Sequence, residues 1–250
     1  MLSNSQVDRI GDRLRRGDVD EEVLTKLTQY QSEFDIAYKH VERVLTKRLY
    51  LTITGRPAKS TLSVAEKLRR IKSRLSQMQD MSGCRAIVHN LTEQNEAVRR
   101  AGEWFSSLEV DDKREVPTHG YRAVHLLITH EGKCVEVQIR TRIQHFWATV
   151  SEKLSDTYGQ EIKYGQGNKE VLSLLDRLSD NVRRFDMQVD RLHEAQGGLM
   201  RAKASRDVRR AKEISKRIGL QEESIRHVMY EARAILMKFD QMEKSDVLLD

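Results

Sequence analysis

The segment from residue 119 to residue 141, HGYRAVHLLITHEGKCVEVQIRT, contains two runs in which apolar and polar side chains alternate. Alternation with a period of two is typical of a β-strand that has one buried face. The two runs, residues 122–130 and 133–140, are separated by Glu131-Gly132, and a two-residue link of this kind is common in hairpins. The sequence therefore predicts an antiparallel β-hairpin in this segment.

A turn that is symmetric about Glu131-Gly132 determines which residues of the hairpin face one another. The expected pairs are His125 with Gln138, Leu127 with Glu136, and Ala123 with Arg140. Opposed residues point to the same side of a sheet, so one face carries Tyr121, His125, Glu136, Gln138 and Arg140. The other face is apolar and is expected to be core, with Val124, Leu126, Ile128, Val135, Val137 and Ile139. A solvated polar face is ordinary for antiparallel sheets, so the hairpin alone favours a functional site and a wet surface equally.

A basic helix is predicted upstream, in the stretch GRPAKSTLSVAEKLRRIKSRL, residues 55–75. Ser60 or Thr61 can cap its N-terminus. On a helix that continues through this stretch, one stripe carries Lys59, Ser63, Lys67, Arg70 and Arg74, beside an apolar seam of Val64, Leu68, Ile71 and Leu75. Cations that border a buried edge near a helix N-terminus suit a polyphosphate. A solvated basic face is the alternative reading.

An acidic residue, Asp80, comes shortly before a predicted strand in the stretch MQDMSGCRAIV. Magnesium is usually held by one or two carboxylates together with substrate phosphates. Asp80 and Glu136 are candidates for such a pair of oxygen donors. Alternatively, Asp80 is a turn or capping residue.

The remaining pattern is helical on both sides of a mixed centre. Periodicity predicts helices at residues 4–16, 19–48, 93–105, 142–158 and 169–245, the last interrupted at Gly197-Gly198 and at Gly219, and strands at residues 51–54 and 84–88 in addition to the hairpin. The sequence thus predicts an α+β fold in three parts: N-terminal helices at 1–48, a catalytic centre at 49–168, and a helical extension at 169–250.

Composition excludes several classes of protein. Of the 250 residues, 33% are charged and two are proline, which indicates a helix-rich globular chain rather than a disordered or fibrous one. No apolar run approaches the length of a membrane span, and the N-terminus has no apolar signal core, so we expect no membrane association and a cytoplasmic location. The two cysteines, Cys84 and Cys134, lie in apolar strand-like runs and are expected to be buried reduced thiols.

Positive charge is concentrated in one part of the helical extension. The net charge of the chain is +6, and residues 201–217 contain eight basic and two acidic side chains. This segment is either a solvated helix face or a surface that binds a polyanion such as tRNA.

Taken together, these segments resemble the synthetase domain of the RelA/SpoT family. The pattern consists of Arg56 and Lys59, then Ser63 and Lys67, then Asp80 thirteen residues after Lys67, then GYRAVH and VEVQIRT, with Glu136 fifteen residues after Tyr121. The resemblance covers about residues 45–168. It implies a nucleotidyltransferase-like mixed β-sheet flanked by helices, and transfer of pyrophosphate from ATP to a ribose 3′-hydroxyl with release of AMP.

The resemblance also implies roles for individual residues. ATP would be bound by Arg56, Lys59, Ser63, Lys67 and Arg70, and Mg²⁺ by Asp80 and Glu136. The acceptor set would be Tyr121, which stacks on the base, with His125, Gln138 and Arg140. The catalytic group would comprise Glu136, Asp80, Lys67 and His125.

The chain departs from the common family pattern at two motifs. The spacing in Arg56-Pro57-Ala58-Lys59 has one residue more than the usual Arg-x-Lys, and Pro117-Thr118-His119 replaces the Lys-Pro-Asn of most alarmone-making members. That lysine would help to hold the acceptor phosphates, so the identity of the acceptor stays open. No His-Asp dipeptide of a hydrolase domain is present, and we expect a short, synthetase-only protein.

Three functions remain open on this basis. The first is synthesis of a (p)ppGpp-type alarmone from GDP or GTP, and the second is toxin-like pyrophosphorylation of the tRNA 3′ end. The third is an inactive nucleotide- or RNA-binding domain. The sequence also leaves a homo-oligomer or an antitoxin partner open.

Overall fold

The structure is a computed structural model, and it describes residues 2–247 of the chain. Within that range, the side chains of Arg56, Asp240 and residues 243–247 lie outside the described part. The sequence-predicted role of the Arg56 side chain therefore falls outside the described structure, although its backbone belongs to a strand.

Eight α-helices and five β-strands are found in the described part of the chain. The helices are α1 (Asn4–Arg16), α2 (Glu21–Ser32), α3 (Asp35–Lys47), α4 (Thr61–Arg70), α5 (Leu91–Trp104), α6 (Arg142–Tyr158), α7 (Lys169–Ala204) and α8 (Val208–Val247), with short 3₁₀ turns at Leu75–Gln77 and Gln160–Tyr164. The strands are β1 (Ile53–Arg56), β2 (Ser82–Val88), β3 (Leu108–Asp112), β4 (Val124–His130) and β5 (Lys133–Thr141).

The chain divides into two compact units. The first consists of Met1–Ile87, Glu96–Asp112 and Val124–Ile139, and the second of Val88–Asn95, Lys113–Ala123 and Arg140–Asp250. Each unit has its own buried core. No helix within residues 2–247 is both long enough and apolar enough to cross a membrane.

The five strands form one mixed sheet in the order β1-β2-β5-β4-β3. The α+β fold predicted from the sequence, with helical extensions at both ends, is confirmed. The central strand is β5, which has β2 on one side and β4 on the other. Side chains on β5 are therefore held by neighbours on both sides, which gives a rigid base for a site.

The hairpin of β4 and β5 has the register expected from its sequence. His125 pairs with Gln138, and Leu127 pairs with Glu136. At the turn, Glu131 has a φ of 49° and Gly132 a φ of 73°. Two successive positive φ angles are the mark of a type I′ turn, whose twist matches that of the paired strands.

The apolar face of the hairpin is core, as predicted. Its six side chains are all at most 1% exposed: Val124, Leu126, Ile128, Val135, Val137 and Ile139. A shift of one residue in the register would move this whole set out of the core, so burial and turn geometry fix the same pairing.

The helix expected at residues 19–48 is instead two helices, α2 and α3, separated at Glu33 and Phe34. Phe34 is buried and packs edge-on against Tyr30, with ring centroids 5.3 Å apart. Glu33 accepts a hydrogen bond from Lys133 Nζ at 2.6 Å. The break is thus fixed by tertiary contacts, which helical periodicity does not reveal.

The basic helix α4 is also shorter than expected. It ends at Arg70, and Ile71 is extended with φ −109° and ψ 142°. The guanidinium of Arg15 caps this end by donating to the carbonyls of Leu68, at 2.9 Å, and Ser73, at 2.5 Å. The continuous stripe from Lys59 to Arg74 was therefore wrong, because both of those residues lie outside the helix.

In the C-terminal extension, the predicted interruptions at Gly197-Gly198 and at Gly219 were wrong. These glycines lie inside α7 and α8, and the break occurs at residues 205–207, where Arg206 has a φ of 57°. The side chain of Asp207 caps α8 by accepting from the Arg210 backbone at 3.0 Å. Packing of α7 against α8 around Ala195, Ala202 and Ile214 offsets the weak helix propensity of glycine.

The edge strand β3 was not predicted. Its residues, LEVDD, show a weak burial alternation and include three acids, and it pairs in the sheet only with β4. An exposed edge strand needs no clear apolar face, so its sequence carries little strand signal.

A buried polar network organises the start of α6 in the second unit. Thr141 and Gln144 form a capping box, and both donate to Asp186 Oδ2, at 3.0 Å and 2.9 Å. Gln94 donates to Gln144 Oε1 at 2.9 Å. Asp186 is only 3% exposed, and burial raises its pKa to about 6 despite these hydrogen bonds.

This raised pKa makes a prediction for the Asp186→Asn variant. As the pH rises from about 4 to about 6, the unfolded chain releases the Asp186 proton before the folded protein does, so wild-type stability falls across this window. Asparagine has nearly the same shape as the protonated carboxyl group, and its side chain does not ionise in this pH range. We expect the variant to exceed wild type by on the order of 2 kcal/mol near pH 8, and to match it near pH 4.

Urea unfolding of both proteins at the two pH values measures this difference. A stability difference that does not change with pH would contradict the assignment.

Candidate active site

In the first unit, two lysines surround the carboxylate of Asp80. Lys59 Nζ lies 2.9 Å from Asp80 Oδ2, and Lys67 Nζ lies 2.7 Å from Oδ1. Only 18% of the Asp80 side chain is exposed. Burial by itself would raise the pKa of Asp80, but the ammonium groups of Lys67 and Lys59 beside the carboxylate outweigh it and hold the pKa below its usual value. Asp80 is therefore an anion at neutral pH, with two cations beside it.

The backbone positions both lysines. The Lys59 amide donates to the Met81 carbonyl at 2.7 Å, and the Lys59 carbonyl accepts from Gln31 Nε2 at 2.7 Å. Lys67 lies on α4, whose first turn is capped by Ser60 through the Ser63 amide at 3.3 Å. The predicted cap at Ser60 is thus observed, and the two ammonium groups reach Asp80 from different segments.

One oxygen of Asp80 has capacity for a further ligand. Oδ1 is buried and has the Lys67 ammonium 2.7 Å away, but it receives no aligned hydrogen bond from any residue in the described part of the chain. Such an oxygen is strongly anionic and is suited to a hard cation.

A second carboxylate, Glu136, lies at the centre of the sheet on β5. His125 Nδ1 is 3.0 Å from its Oε1, and Gln138 Nε2 donates to its Oε2 at 2.9 Å. Burial would raise the pKa of Glu136, but the hydrogen bond and charge of His125, together with Gln138, bring it below its usual value. The glutamate is thus ionised and held in one orientation.

A glycine on the adjacent strand allows close approach at this point. A Cβ atom at Gly83 would lie 2.6 Å from the Glu136 carbonyl oxygen, which is closer than side chains tolerate. Gly83 also pairs with Arg56 of β1. Only glycine lets β2 lie against β5 here, so this residue helps to fix the position of Glu136.

Asp80 and Glu136 are the candidates in the first unit to hold a magnesium ion that substrate phosphates would share. The negative charge of Asp80 acts to raise the pKa of Glu136, whereas His125 lowers it by more. Asp80 and Glu136 therefore interact electrostatically. Among residues 2–247, no group of three or more His, Cys, Asp or Glu side chains could hold a metal. Magnesium does not need such a cage, since it commonly uses one or two carboxylates, phosphate oxygens and water.

The second unit contains two further predicted site residues, Tyr121 and Arg140, which are in contact. Arg140 donates to the Tyr121 hydroxyl from Nε at 3.2 Å and from Nη2 at 2.9 Å. Its guanidinium carbon lies 5.0 Å from the Tyr121 ring centroid. Trp147 lies beside the ring, with centroids 6.4 Å apart. The aromatic ring is thus fixed by a buried cation and a buried indole.

Two further residues of the GYR motif explain how this ring is held. A Cβ atom at Gly120 would lie 2.8 Å from Trp147 Cζ2, and Gly120 has a φ of 83°, so only glycine fits. Arg122 is buried and donates to Ser179 Oγ at 3.1 Å and to the Arg114 carbonyl. Sequence reasoning gave Arg122 no role, although its place in the motif next to Tyr121 was a usable signal.

The remaining predicted residues of the ATP set are Ser63 and Arg70, and the charge of Asp80 acts on Arg70. The Ser63 hydroxyl contacts Ser60 Oγ at 2.9 Å, and Arg70 is an exposed residue at the end of α4. Both cysteines are free; Cys84 is buried and Cys134 is half-buried. Burial raises the thiol pKa to about 12 and about 11, respectively, so neither is a reactive thiolate.

Comparison with known proteins supports one family. Residues 55–161 match the model of a region found in RelA/SpoT proteins. GTP pyrophosphokinase YjbM of Bacillus subtilis is 31% identical over 170 residues, which cover 60% of this chain and 77% of that protein. Uncharacterized protein Rv1366 of Mycobacterium tuberculosis is 34% identical over 119 residues, or 46% of this chain. The match spans only 44% of that mycobacterial relative.

Solved structures give the same result for the fold. Small alarmone synthetase 1 from Bacillus subtilis, in a crystal structure with its product pppGpp, superimposes with a TM-score of 0.54 and 25% identity. The superposition covers 70% of this chain and 98% of that protein. The sheet with Glu136 on its central strand, the basic helix and these similarities lead to one assignment: this chain belongs to the RelA/SpoT family.

Proposed function

We propose that this protein is a pyrophosphokinase that transfers pyrophosphate from ATP to the ribose 3′-hydroxyl of GDP or GTP, producing a (p)ppGpp-type alarmone and AMP. The observation that carries the proposal is the cluster of Asp80 between Lys59 and Lys67. The two ammonium groups can bind phosphate oxygens and the carboxylate can bind a metal ion, so the cluster suits a metal-bound triphosphate. Membership of a family that includes GTP pyrophosphokinase YjbM supports the same reaction.

Binding of ATP would use the cations that now surround Asp80. Phosphate oxygens compete with the aspartate for the ammonium groups of Lys59 and Lys67, and Arg56, Ser63 and Arg70 are proposed to assist. Asp80 loses lysine contacts in this exchange and becomes available, with Glu136, to hold Mg²⁺. When bound, that ion supplies positive charge to the phosphate oxygens.

Transfer requires the acceptor oxygen to be in line with the β-phosphorus of ATP. A bond forms between the ribose 3′-oxygen and that phosphorus, the bond from the β-phosphorus to the oxygen that bridges it to the α-phosphorus breaks, and AMP leaves. Glu136 is proposed to accept the hydroxyl proton, since its lowered pKa keeps it ionised, and His125 and Gln138 orient it. Lys67 neutralises charge that develops on the phosphates.

On the acceptor side, Tyr121 is proposed to stack on the guanine base. The ring is already held by Arg140 and Trp147, so little conformational entropy remains to be lost on binding. Arg140 keeps the tyrosine hydroxyl in place, and its charge suits an anionic acceptor.

A second candidate function is pyrophosphorylation of the tRNA 3′ end. The exposed basic side chains of residues 201–217 favour it, as does Pro117 at the position where alarmone-making members carry a lysine. The same reaction would then operate on a terminal ribose of RNA.

Incubation of the protein with γ-labelled ATP and, separately, GDP, GTP, ATP or tRNA tests these functions. Label on GDP or GTP supports alarmone synthesis, and label on tRNA supports the second candidate. Absence of transfer to every acceptor would refute both and leave a binding-only domain.

The Glu136→Gln variant should lose transfer while remaining folded. The substitution removes the negative charge but keeps the shape, and we expect turnover to fall by at least about 10²-fold. Glu131→Gln, at the exposed turn of the same hairpin, is the matched control and should retain wild-type turnover. Initial rates with labelled ATP, with thermal melting of both variants, measure this. Near-normal turnover in Glu136→Gln would refute its assigned role.

The Tyr121→Ala variant should weaken acceptor binding by about 10-fold or more, because base stacking on an aromatic ring is lost. The KM for ATP should change little. Tyr121→Phe, which keeps the ring and loses only the bond to Arg140, should stay close to wild type in acceptor KM. Equal losses for ATP and acceptor in Tyr121→Ala would argue against stacking.

A further inference from the structure

A cavity of about 360 Å³ lies between α7 and α8, near the turn that joins them. Its lining contains three arginines, two glutamates and a small apolar floor: Arg201, Arg210, Arg217, Glu194, Glu213, Ala195, Gly198 and Ile214. None of these residues belongs to the candidate active site.

The three arginines of the cavity are available for a ligand. Within the described part of the chain, the side chains of Arg201, Arg210 and Arg217 form no hydrogen bond or ion pair. They belong to the segment 201–217, which has eight basic and two acidic residues. Arginine presents a planar set of donors that matches phosphate oxygens two at a time, so three arginines that line one cavity suit a phosphate group.

Helix propensity does not explain why a glycine lies in the floor of this cavity, inside α7. Gly198 lies within α7, where glycine costs about 1 kcal/mol relative to alanine. A Cβ atom there would lie 3.6 Å from Ile214 Cδ1, an ordinary contact, so packing against α8 does not require glycine. Absence of a side chain does keep the floor open. The cavity thus provides a reason for glycine at this position.

We propose that this cavity is a phosphate-binding site, distinct from the pyrophosphate-transfer site, in which Arg201, Arg210 and Arg217 bind the oxyanion. Glu194 and Glu213 accept hydrogen bonds from donors on the same ligand, such as sugar hydroxyls. The phosphate comes either from a small phosphorylated compound or from the backbone of an RNA strand, and both present the same chemistry to the arginines.

Calorimetric titration with inorganic pyrophosphate and with a single-stranded RNA oligonucleotide tests the site. Lys59→Gln, Lys67→Gln and Asp80→Asn are introduced first, so that phosphate binding at the candidate active site is reduced and no uncompensated carboxylate stays buried there. Replacing Arg201, Arg210 and Arg217 together by glutamine should then weaken binding by about 10-fold or more.

The matched control removes the same number of positive charges from the same region, the turn between α7 and α8 and the start of α8. Arg206, Arg209 and Lys212 do not line the cavity, and their joint replacement by glutamine should change the affinity by less than about 3-fold. If pyrophosphate binds and the cavity arginines are required, the site takes a small phosphorylated ligand. If only the RNA oligonucleotide binds and the same arginines are required, the site takes the phosphate backbone of RNA. Equal losses in the two triple variants, or binding of neither probe, would overturn the proposal.

A variant that fills the cavity without changing charge gives an independent result. Gly198→Leu should reduce binding about 10-fold or more while circular dichroism shows unchanged helix content. Gly219→Leu, at a helical glycine with open space around it, should bind like the parent. Parent-like affinity in a folded Gly198→Leu protein would also overturn the proposal. Because no turnover is measured, these outcomes are independent of the proposed transfer reaction.

Discussion

The neutralisation of one buried aspartate underlies the arrangement of the site. A carboxylate that is mostly removed from water is unfavourable unless cations compensate it, and Asp80 has Lys59 and Lys67 on its two oxygens. This requirement brings together α4, the turn before β2 and the segment that precedes α4. It also keeps two ammonium groups close to a carboxylate, which is the arrangement that the proposed exchange with a metal-bound triphosphate requires.

The second carboxylate is positioned by the sheet. The type I′ turn at Glu131-Gly132 sets the register of β4 and β5, and the register puts His125 and Gln138 on the face of Glu136. Gly83 lets β2 approach on the other side. Backbone geometry, burial and side-chain hydrogen bonds all select one orientation of Glu136. A preorganised anion of this kind suits phosphoryl chemistry, where charge stabilisation and positioning supply most of the rate enhancement.

The sequence predicted the parts of the structure that depend on local pattern. Alternation along the hairpin gave its register and its buried face, and the motif spacing identified Lys59, Lys67 and Asp80, which the structure brings into contact. The parts that depend on tertiary contacts were not predictable in this way. α4 ends where Arg15, more than fifty residues away, caps it, and α7 continues through Gly197-Gly198 because α8 packs along it. Asp186 and Arg122 are buried polar residues with hydrogen-bond partners more than forty residues away, Thr141 and Ser179 among them, so no periodicity marks them.

The exchange of ligands at Asp80 is tested most directly by the binding of a non-hydrolysable ATP analogue, with and without Mg²⁺, to wild type and to Asp80→Asn. Without Mg²⁺, the variant should bind at least as tightly as wild type, because Lys59 and Lys67 no longer have an anionic partner. Added Mg²⁺ should tighten wild-type binding by about 10-fold or more and should change the variant little. The account would be contradicted if folded Asp80→Asn bound the analogue more weakly than wild type without Mg²⁺ and if added Mg²⁺ then tightened its binding as much as that of wild type.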